Sequence, residues 1–300
     1  MLELQGETAL NIKAGLEFTE STEKNLKFVL YRAWLRIANP QNELRIGLQR
    51  LSFGSAKILR PLQWFDKLNP LDKSEFTNGV WAALAKRTWM NNSNLWLWGI
   101  LGDDDLKGIE SYYGKKNSLE FGGRMQFSNP IGETSLAYHQ RKLSDGDEFR
   151  IGFDHRYDGL VGAWIEGSGS MFVFPAVSRL ESNEIYQTAI TFGFDYSLPV
   201  GNGLSIIAEN MLSQTIDDEP DWSKLNDNRL AIMLSYPLGL LDTLSLLNIY
   251  GFKSEKDNLA IIWRRTYDYL SWDLGLALDS GYGETMSHSP TLTLKINYNL

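Results

Sequence analysis

Apolar residues recur in this chain at every second position, and that spacing limits its fold more than any other feature of the sequence. In "EFRIGFDHRYDG", Phe149, Ile151, Phe153 and Tyr157 fall on one side of an extended backbone, and Arg150, Gly152, Asp154, Arg156 and Asp158 on the other. In "LEFGGRMQF", Leu119, Phe121, Met125 and Phe127 oppose Glu120, Arg124 and Gln126. In "YQTAITFGFDYSL", Ile190, Phe192, Phe194, Tyr196 and Leu198 oppose Gln187, Thr191, Asp195 and Ser197. In "LSWDLGLALDSG", Leu270, Trp272, Leu274, Leu276 and Leu278 oppose Ser271, Asp273, Gly275 and Asp279. Successive side chains of a strand point to opposite faces, so these segments are strands with one apolar face and one face carrying ions. Helical periodicity is nearly absent.

Two sorts of link separate the segments. Seven are short and rich in turn formers: "ANPQNE" at 38–43, "MNNSN" at 90–94, "SNPIGE" at 128–133, "YDG" at 157–159, "PVGNG" at 199–203, "PLGLLD" at 237–242 and "YDYLS" at 267–271. Asn, Gly, Pro and Asp supply the dihedral angles that tight hairpins need. Between them lie longer or more charged links, among them "GSAKILRPLQWFDKLNPLDKSEFT", "GDDDLKGIESYYGKKN", "KLSDGDE", "SQTIDDEPDWSKLND" and "KSEKDN". Short and long links are expected to alternate strictly, joining about sixteen strands with both chain ends on the short-turn side. Bacterial outer-membrane barrels have this plan, with an even strand number, short periplasmic turns and longer outer loops. The expected fold is therefore all-β: a closed antiparallel transmembrane β-barrel of about sixteen strands, a single domain over residues 1–300, with both termini periplasmic. A soluble sandwich shares the alternation and a β-propeller shares the hairpin period. Against the propeller, blade signatures are missing and the strands are long for four-stranded blades.

Composition narrows the reading further. No run of about 18 or more apolar residues exists, so no transmembrane helix is expected. The mean hydropathy of −0.27 is compatible with a membrane barrel, where only alternate residues meet lipid. The absence of cysteine excludes disulfides and metal sites built on thiolates. A net charge of −8 without a basic run argues against a nucleic-acid partner. The start, "MLELQGETALNIKAG", has no positive stretch leading into an apolar one and reads as a strand already under way, not as a signal peptide. Tyr157, Tyr196, Tyr236, Tyr267, Trp272 and Tyr298 all fall close to a short turn or to the C-terminus, as a girdle at one membrane interface would.

The chain ends in "SPTLTLKINYNL", with Leu292, Leu294, Ile296, Tyr298 and Leu300 on one face. An exposed apolar edge strand invites aggregation, so this strand is expected to pair with the first and close the sheet. It resembles the C-terminal signal that barrel-assembly machinery reads, with Leu300 where such signals commonly carry Phe. The resemblance implies that machinery as a partner through residues 289–300.

A second resemblance lies in "RAWLRIANPQNELRIGLQRLSFGSAKILRPLQWFDKLNPLD" at 32–72. Arg45, Gly47 and Gln49, then the aromatic–glycine pair Phe53–Gly54, then Asn69, Pro70 and Asp72, are similar to the pattern of the proteobacterial porin family that includes alginate-export-type barrels. That family usually places Trp before the glycine, where Phe53 stands here. The resemblance covers about a seventh of the chain and implies a passive outer-membrane channel, without naming a solute.

The alternation also assigns the lumen. Arg45, Gln49, Glu120, Arg124, Arg141, Arg150, Asp154, Arg156, Glu209, Asp273 and Asp279 are expected to line the pore. Two readings of them stand. A basic wall opposite an acidic wall would screen solutes by charge; alternatively, the ions pair with one another and serve the structure. The link at 55–77 carries Arg60, Trp64, Phe65, Asp66, Asn69 and Asp72, and is stiffer and more apolar than an exposed loop. It either folds inward as a constriction or packs on neighbouring outer loops. The acidic links "GDDDLKG" and "IDDEPDW" lack the spaced ligands of a calcium loop; they either are simply solvated or link to lipopolysaccharide through shared cations.

No catalytic set is expected. His139 lies on the lumen face, His155 on the lipid side and His288 in a loop. Ser135 and His139 are about 13 Å apart by strand rise, too far for a dyad. No cofactor or metal is expected. The function expected is passive diffusion of small hydrophilic solutes, anionic or carbohydrate ones included. The alternative is a structural or surface-binding barrel, an adhesin or assembly partner, with a blocked lumen.

Overall fold

The computed structural model describes residues 7–20, 24–66, 77–175, 183–216, 227–268, 270–281 and 289–298. Its strands are β1 (Glu7–Glu20), β2 (Lys24–Ala38), β3 (Asn42–Gln49), β4 (Val80–Thr88), β5 (Asn94–Leu101), β6 (Leu119–Asn129), β7 (Gly132–Lys142), β8 (Asp147–Asp158), β9 (Gly162–Phe174), β10 (Asn183–Leu198), β11 (Leu204–Ile216), β12 (Asp227–Pro237), β13 (Asp242–Gly251), β14 (Lys256–Thr266), β15 (Leu270–Gly281) and β16 (Ser289–Tyr298). They form one antiparallel sheet in which each strand pairs with its neighbour in sequence. Among the described residues there is no helix, and no ladder joins β16 to β1.

All seven turn-former clusters are hairpin turns, and the chemistry is local. Asn39 Oδ1 accepts the backbone N–H groups of Gln41 (3.0 Å) and Asn42 (2.7 Å), and Asn129 Oδ1 accepts that of Ile131 (3.0 Å). A short amide side chain thus takes the place of a backbone acceptor in the turn. The links at the opposite end differ from expectation. "KLSDGDE" and "KSEKDN" are not long loops, because β7, β8, β13 and β14 run on through the charged residues and leave only 143–146 and 252–255 as turns. Charge marks solvent exposure, and a strand can project beyond the region where its outer face is apolar.

The outer face is apolar and exposed. Ile46, Trp81, Leu97, Phe121, Leu136 and Ile151 each keep more than half of their surface accessible. In the expected girdle, Tyr157 and Tyr267 are exposed beside their turns, Trp272 packs edge-on against Trp263 at 4.7 Å, and the Tyr236 hydroxyl accepts the Asn202 N–H. The side chain of Tyr298 lies outside the described residues.

The core lies within the curve of this single sheet. The link between β3 and β4 fills it, touching inner-face residues of strands from β4 to β13. A sheet whose distant strands pack on one central segment is necessarily rolled around it.

Candidate functional site

The inward alternative for the β3–β4 link is the one the structure adopts. Residues 51–66 are described, and they form an aromatic and aliphatic plug. Phe53, Leu62, Trp64 and Phe65 pack on Val80, Ala82 and Leu84 of β4, Trp98 and Ile100 of β5, and Ala137 of β7. Phe53 stacks on Trp98 at 5.5 Å, and Trp64 meets Phe53 edge-on at 5.4 Å. Ala56, Ile58 and Leu59 pack across the interior on Trp164, Ile207, Ala231 and Leu247 of β9, β11, β12 and β13. Asn69 and Asp72 lie outside the described residues.

A segment without a ladder partner carries unpaired backbone N–H groups, which must find acceptors once buried. Two inner-face carboxylates provide them. Glu166 accepts the N–H of Ala56 (2.8 Å) and of Leu62 (2.7 Å). Glu209 accepts those of Lys57 (2.6 Å), Ile58 (2.9 Å) and Leu59 (2.6 Å), and the Trp164 indole N–H (3.0 Å). Thr191 donates to the Leu59 carbonyl (2.8 Å), and Trp64 donates to Ser168 Oγ (2.9 Å). Lys57 pairs with Asp195, Arg50 with Asp66 (2.8 Å), and Arg60 folds back onto the Phe53 carbonyl (3.0 Å).

This packing accounts for the two glycines of the family-like motif. Gly54 has φ +102°, and a Cβ there would lie 2.4 Å from Glu166 Oε2; Gly47 has φ +127°, and its Cβ would lie 2.3 Å from the Ala33 carbonyl oxygen. Gln49, fully buried, donates to the Ala82 carbonyl (2.9 Å).

The β5–β6 link also folds inward and lies on the plug, where the Ile109 N–H donates to the Gln63 carbonyl (3.0 Å). It brings Lys107 and Glu110 into a buried ion cluster. Arg141 binds Glu110 (2.9 Å) and Glu148 (2.5 Å); Arg150 binds Glu148 (2.5 Å) and Glu110 (3.2 Å); Lys107 binds Glu120 (3.3 Å). Lys107 also binds Asp103 (3.0 Å), so three cations face four carboxylates. His139 sits against Glu120 (3.4 Å) and accepts the Trp98 indole N–H (3.2 Å). Burial pushes the Glu110 carboxyl upward, against the pull of Arg150, Arg141 and Lys107. For Lys107, burial opposes the charge, but Glu120, Glu110 and Asp103 outweigh it and raise the ammonium.

The expected pore-lining residues are thus on the inner face but mostly engaged. Arg141 and Arg150 brace the two inward links and do not border an open channel. Arg124 binds Asp154 (3.2 Å) and Gln126 (2.7 Å); Asp154 also accepts from Ser135 (2.7 Å). Arg156 is shared between Asp158 (2.6 Å) and Asp195 (3.5 Å), and Asp273 is held by Arg264. Arg45 binds Glu43 (2.7 Å). The side chain of Asp279 lies outside the described residues, as does His288. Ser135 and His139 turn to different carboxylates, and His155 meets Thr134 Oγ1 (2.8 Å) on the outer face.

Several residues of this interior carry no signal that sequence reasoning used. Glu166 and Trp164 stand out only once "AWIEGSGSMF" is split by alternation. Lys107 and Glu110 sit in a link rich in aspartate, where an isolated Lys and Glu look like ordinary solvated charges. Lys86 and Trp96 lie on one inner-face row with Arg124, with the Lys86 ammonium 3.5 Å from the centre of the Trp96 ring.

Comparison with protein-family models yields no match. No curated protein matches the sequence either.

Proposed function

We propose that the sheet closes into a sixteen-stranded barrel in a bacterial outer membrane and acts as a channel for small hydrophilic solutes, narrowed by the segment at 51–66. The observation that carries this reading is the inverted distribution of polarity. The outer face is a continuous exposed apolar surface, while the ions and the plug are inside. Exposed apolar patches of this extent are rare on soluble monomers. In hydrocarbon an open edge would leave backbone groups unpaired, which is why closure of β16 on β1 belongs to the proposal. The resemblance at 32–72 to alginate-export-type porins points the same way. Barrel-assembly machinery, through 289–300, and lipopolysaccharide are the partners this location implies.

One observation favours the alternative of a structural or surface-binding barrel: the plug and the buried ion cluster both lie in the interior. Two measurements separate the readings. The detergent-extracted protein should migrate faster unheated than heated if the barrel closes. In planar bilayers, stable ion-permeable steps are expected. A heat-modifiable protein that stays electrically silent would make the blocked barrel the better account, and a protein without heat-modifiable mobility would overturn both.

A further inference from the structure

On the outer face, β4 presents two small side chains where its neighbours present large ones. Ala83 and Ala85 alternate outward with Trp81 and Arg87. Register places Ala85 between Leu44 of β3 and Leu97 of β5, and Arg87 between Asn42 and Leu95. Ile37 of β2 stands beside Leu44. Leu44 and Leu97 are two strand spacings apart, about 10 Å. The short alanine between them leaves an open groove of about 440 Å³, with Ile37, Leu44, Leu95 and Leu97 as walls and Ala85 as floor.

One end of this groove is polar. Arg87 lies there with Asn39 and Asn42, beside the tight turns that join β2 to β3 and β4 to β5. Arg87 is exposed, and its guanidinium lies over the Trp89 ring at 5.7 Å. Among the described residues no carboxylate pairs with it. Stacking on a ring fixes a guanidinium without neutralising it and leaves its N–H groups able to donate. Glu43 and Lys86 also border the groove, but both are engaged on the inner face. Glu43 binds Arg36 (2.7 Å) and Arg45 (2.7 Å), and the Lys86 ammonium lies against the Trp96 ring. Arg265, which faces outward near the turn after β14, differs from Arg87 in having Asp242 at 3.6 Å.

We infer that this groove binds an anionic phospholipid of the periplasmic leaflet, with one acyl chain over Ala85 between Leu44 and Leu97 and the phosphate on Arg87. A water-soluble anion would gain nothing from the apolar walls, and a hydrocarbon alone would gain nothing from the arginine. A phospholipid offers both, in the order in which the groove presents them. The forked guanidinium matches phosphate oxygens, and an arginine holds its head at headgroup level while its stem lies on apolar surface. Short turns on the periplasmic side put this end of β4 at that interface. The site deepens the membrane reading and rests on it.

The probes are dioleoyl phosphatidylglycerol, which is anionic, and dioleoyl phosphatidylcholine, whose phosphate is offset by its own ammonium. Each is titrated into the detergent-folded protein, and native mass spectrometry gives the dissociation constant of the first lipid retained. Phosphatidylglycerol should bind about tenfold more tightly, as one charge-assisted pair implies. R87Q should remove that difference. A85F fills the groove but keeps the arginine, and should weaken phosphatidylglycerol about tenfold. R265Q should leave the difference unaltered. Far-ultraviolet circular dichroism reports the folding of each variant. Equal binding of the two lipids by the parent, a parent-like difference in R87Q, or parent-like affinity in A85F overturns the site. So does an equal loss in R265Q, because any interfacial arginine would then serve. Heat-modifiable mobility tests the membrane reading separately. A heat-modifiable protein without the lipid difference refutes the site and leaves the barrel standing; the difference in a protein without heat-modifiable mobility upholds the groove and refutes the barrel.

Discussion

Glu209 is the side chain whose removal should most change the interior while leaving the sheet standing. Its two oxygens accept four donors: the backbone N–H groups of Lys57, Ile58 and Leu59 and the indole of Trp164. It is 1 % exposed, so no water replaces it directly. Each buried donor left unpaired costs about 1–3 kcal/mol, and four together about 4–12 kcal/mol. Against this, burying Ile58 and Leu59 contributes about 1.5–3 kcal/mol each. In Glu209→Ala the turn at 57–59 therefore gains by leaving the wall and hydrating its backbone. Glu166 still holds Ala56 and Leu62, so the release should be local. Trypsin reads this out, because Lys57–Ile58 is a cleavable bond inside the turn, whereas Arg60 is followed by Pro61. Rapid cutting after Lys57 is expected in the folded variant, with slow or absent cutting in the parent. Glu209→Gln keeps one acceptor oxygen and should lie between the two. If the protein conducts, its single-channel conductance should rise in the same order. Parent-like trypsin resistance and conductance in Glu209→Ala would refute the clamp.

Leu276 faces outward and Ala277 inward on β15. If the outer face meets lipid near the bilayer midplane, Leu276→Arg should destabilise by about 2–4 kcal/mol while Ala277→Arg costs less, and equal urea-unfolding midpoints would count against that surface. Arg150→Gln leaves Glu148 and Glu110 short of a buried partner, so a loss of about 3–5 kcal/mol is expected in the same assay, with an unchanged anion-to-cation permeability ratio in bilayers; a shifted ratio would return Arg150 to the selectivity surface. Lys107 has its proton affinity raised on folding, so its contribution is complete below the ordinary lysine value of 10.5 and is lost as pH climbs past it. The 102–118 link should thus stay protease-resistant up to that value and loosen above it, and Lys107→Met should lack this alkaline step; a step persisting in the variant assigns it elsewhere.

The faces of the strands and the seven tight turns were legible in the sequence, because each follows from covalent geometry over a few residues, whereas the ends of β7, β8, β13 and β14 at the charged links were not. Period-two alternation assigns faces without reference to any partner, and Asn39 or Asn129 closes its turn through atoms two or three residues away. The apolar, proline-bearing character of 55–77 marked the segment as unusual, but both an inward and an outward packing satisfied that composition. Tertiary structure decided between them. The acceptors for its backbone lie far along the chain: Ile58 and Glu209 are 151 residues apart. Pairing of the arginines was equally beyond reach. Arg141 and Arg150 look like a cationic wall when their strands are read alone, and they are neutralised by Glu148 from the same hairpin together with Glu110 from a link that folds inward. A strand's own faces are fixed by its bonds, whereas which charges meet across the interior is fixed by register and by the path of the links.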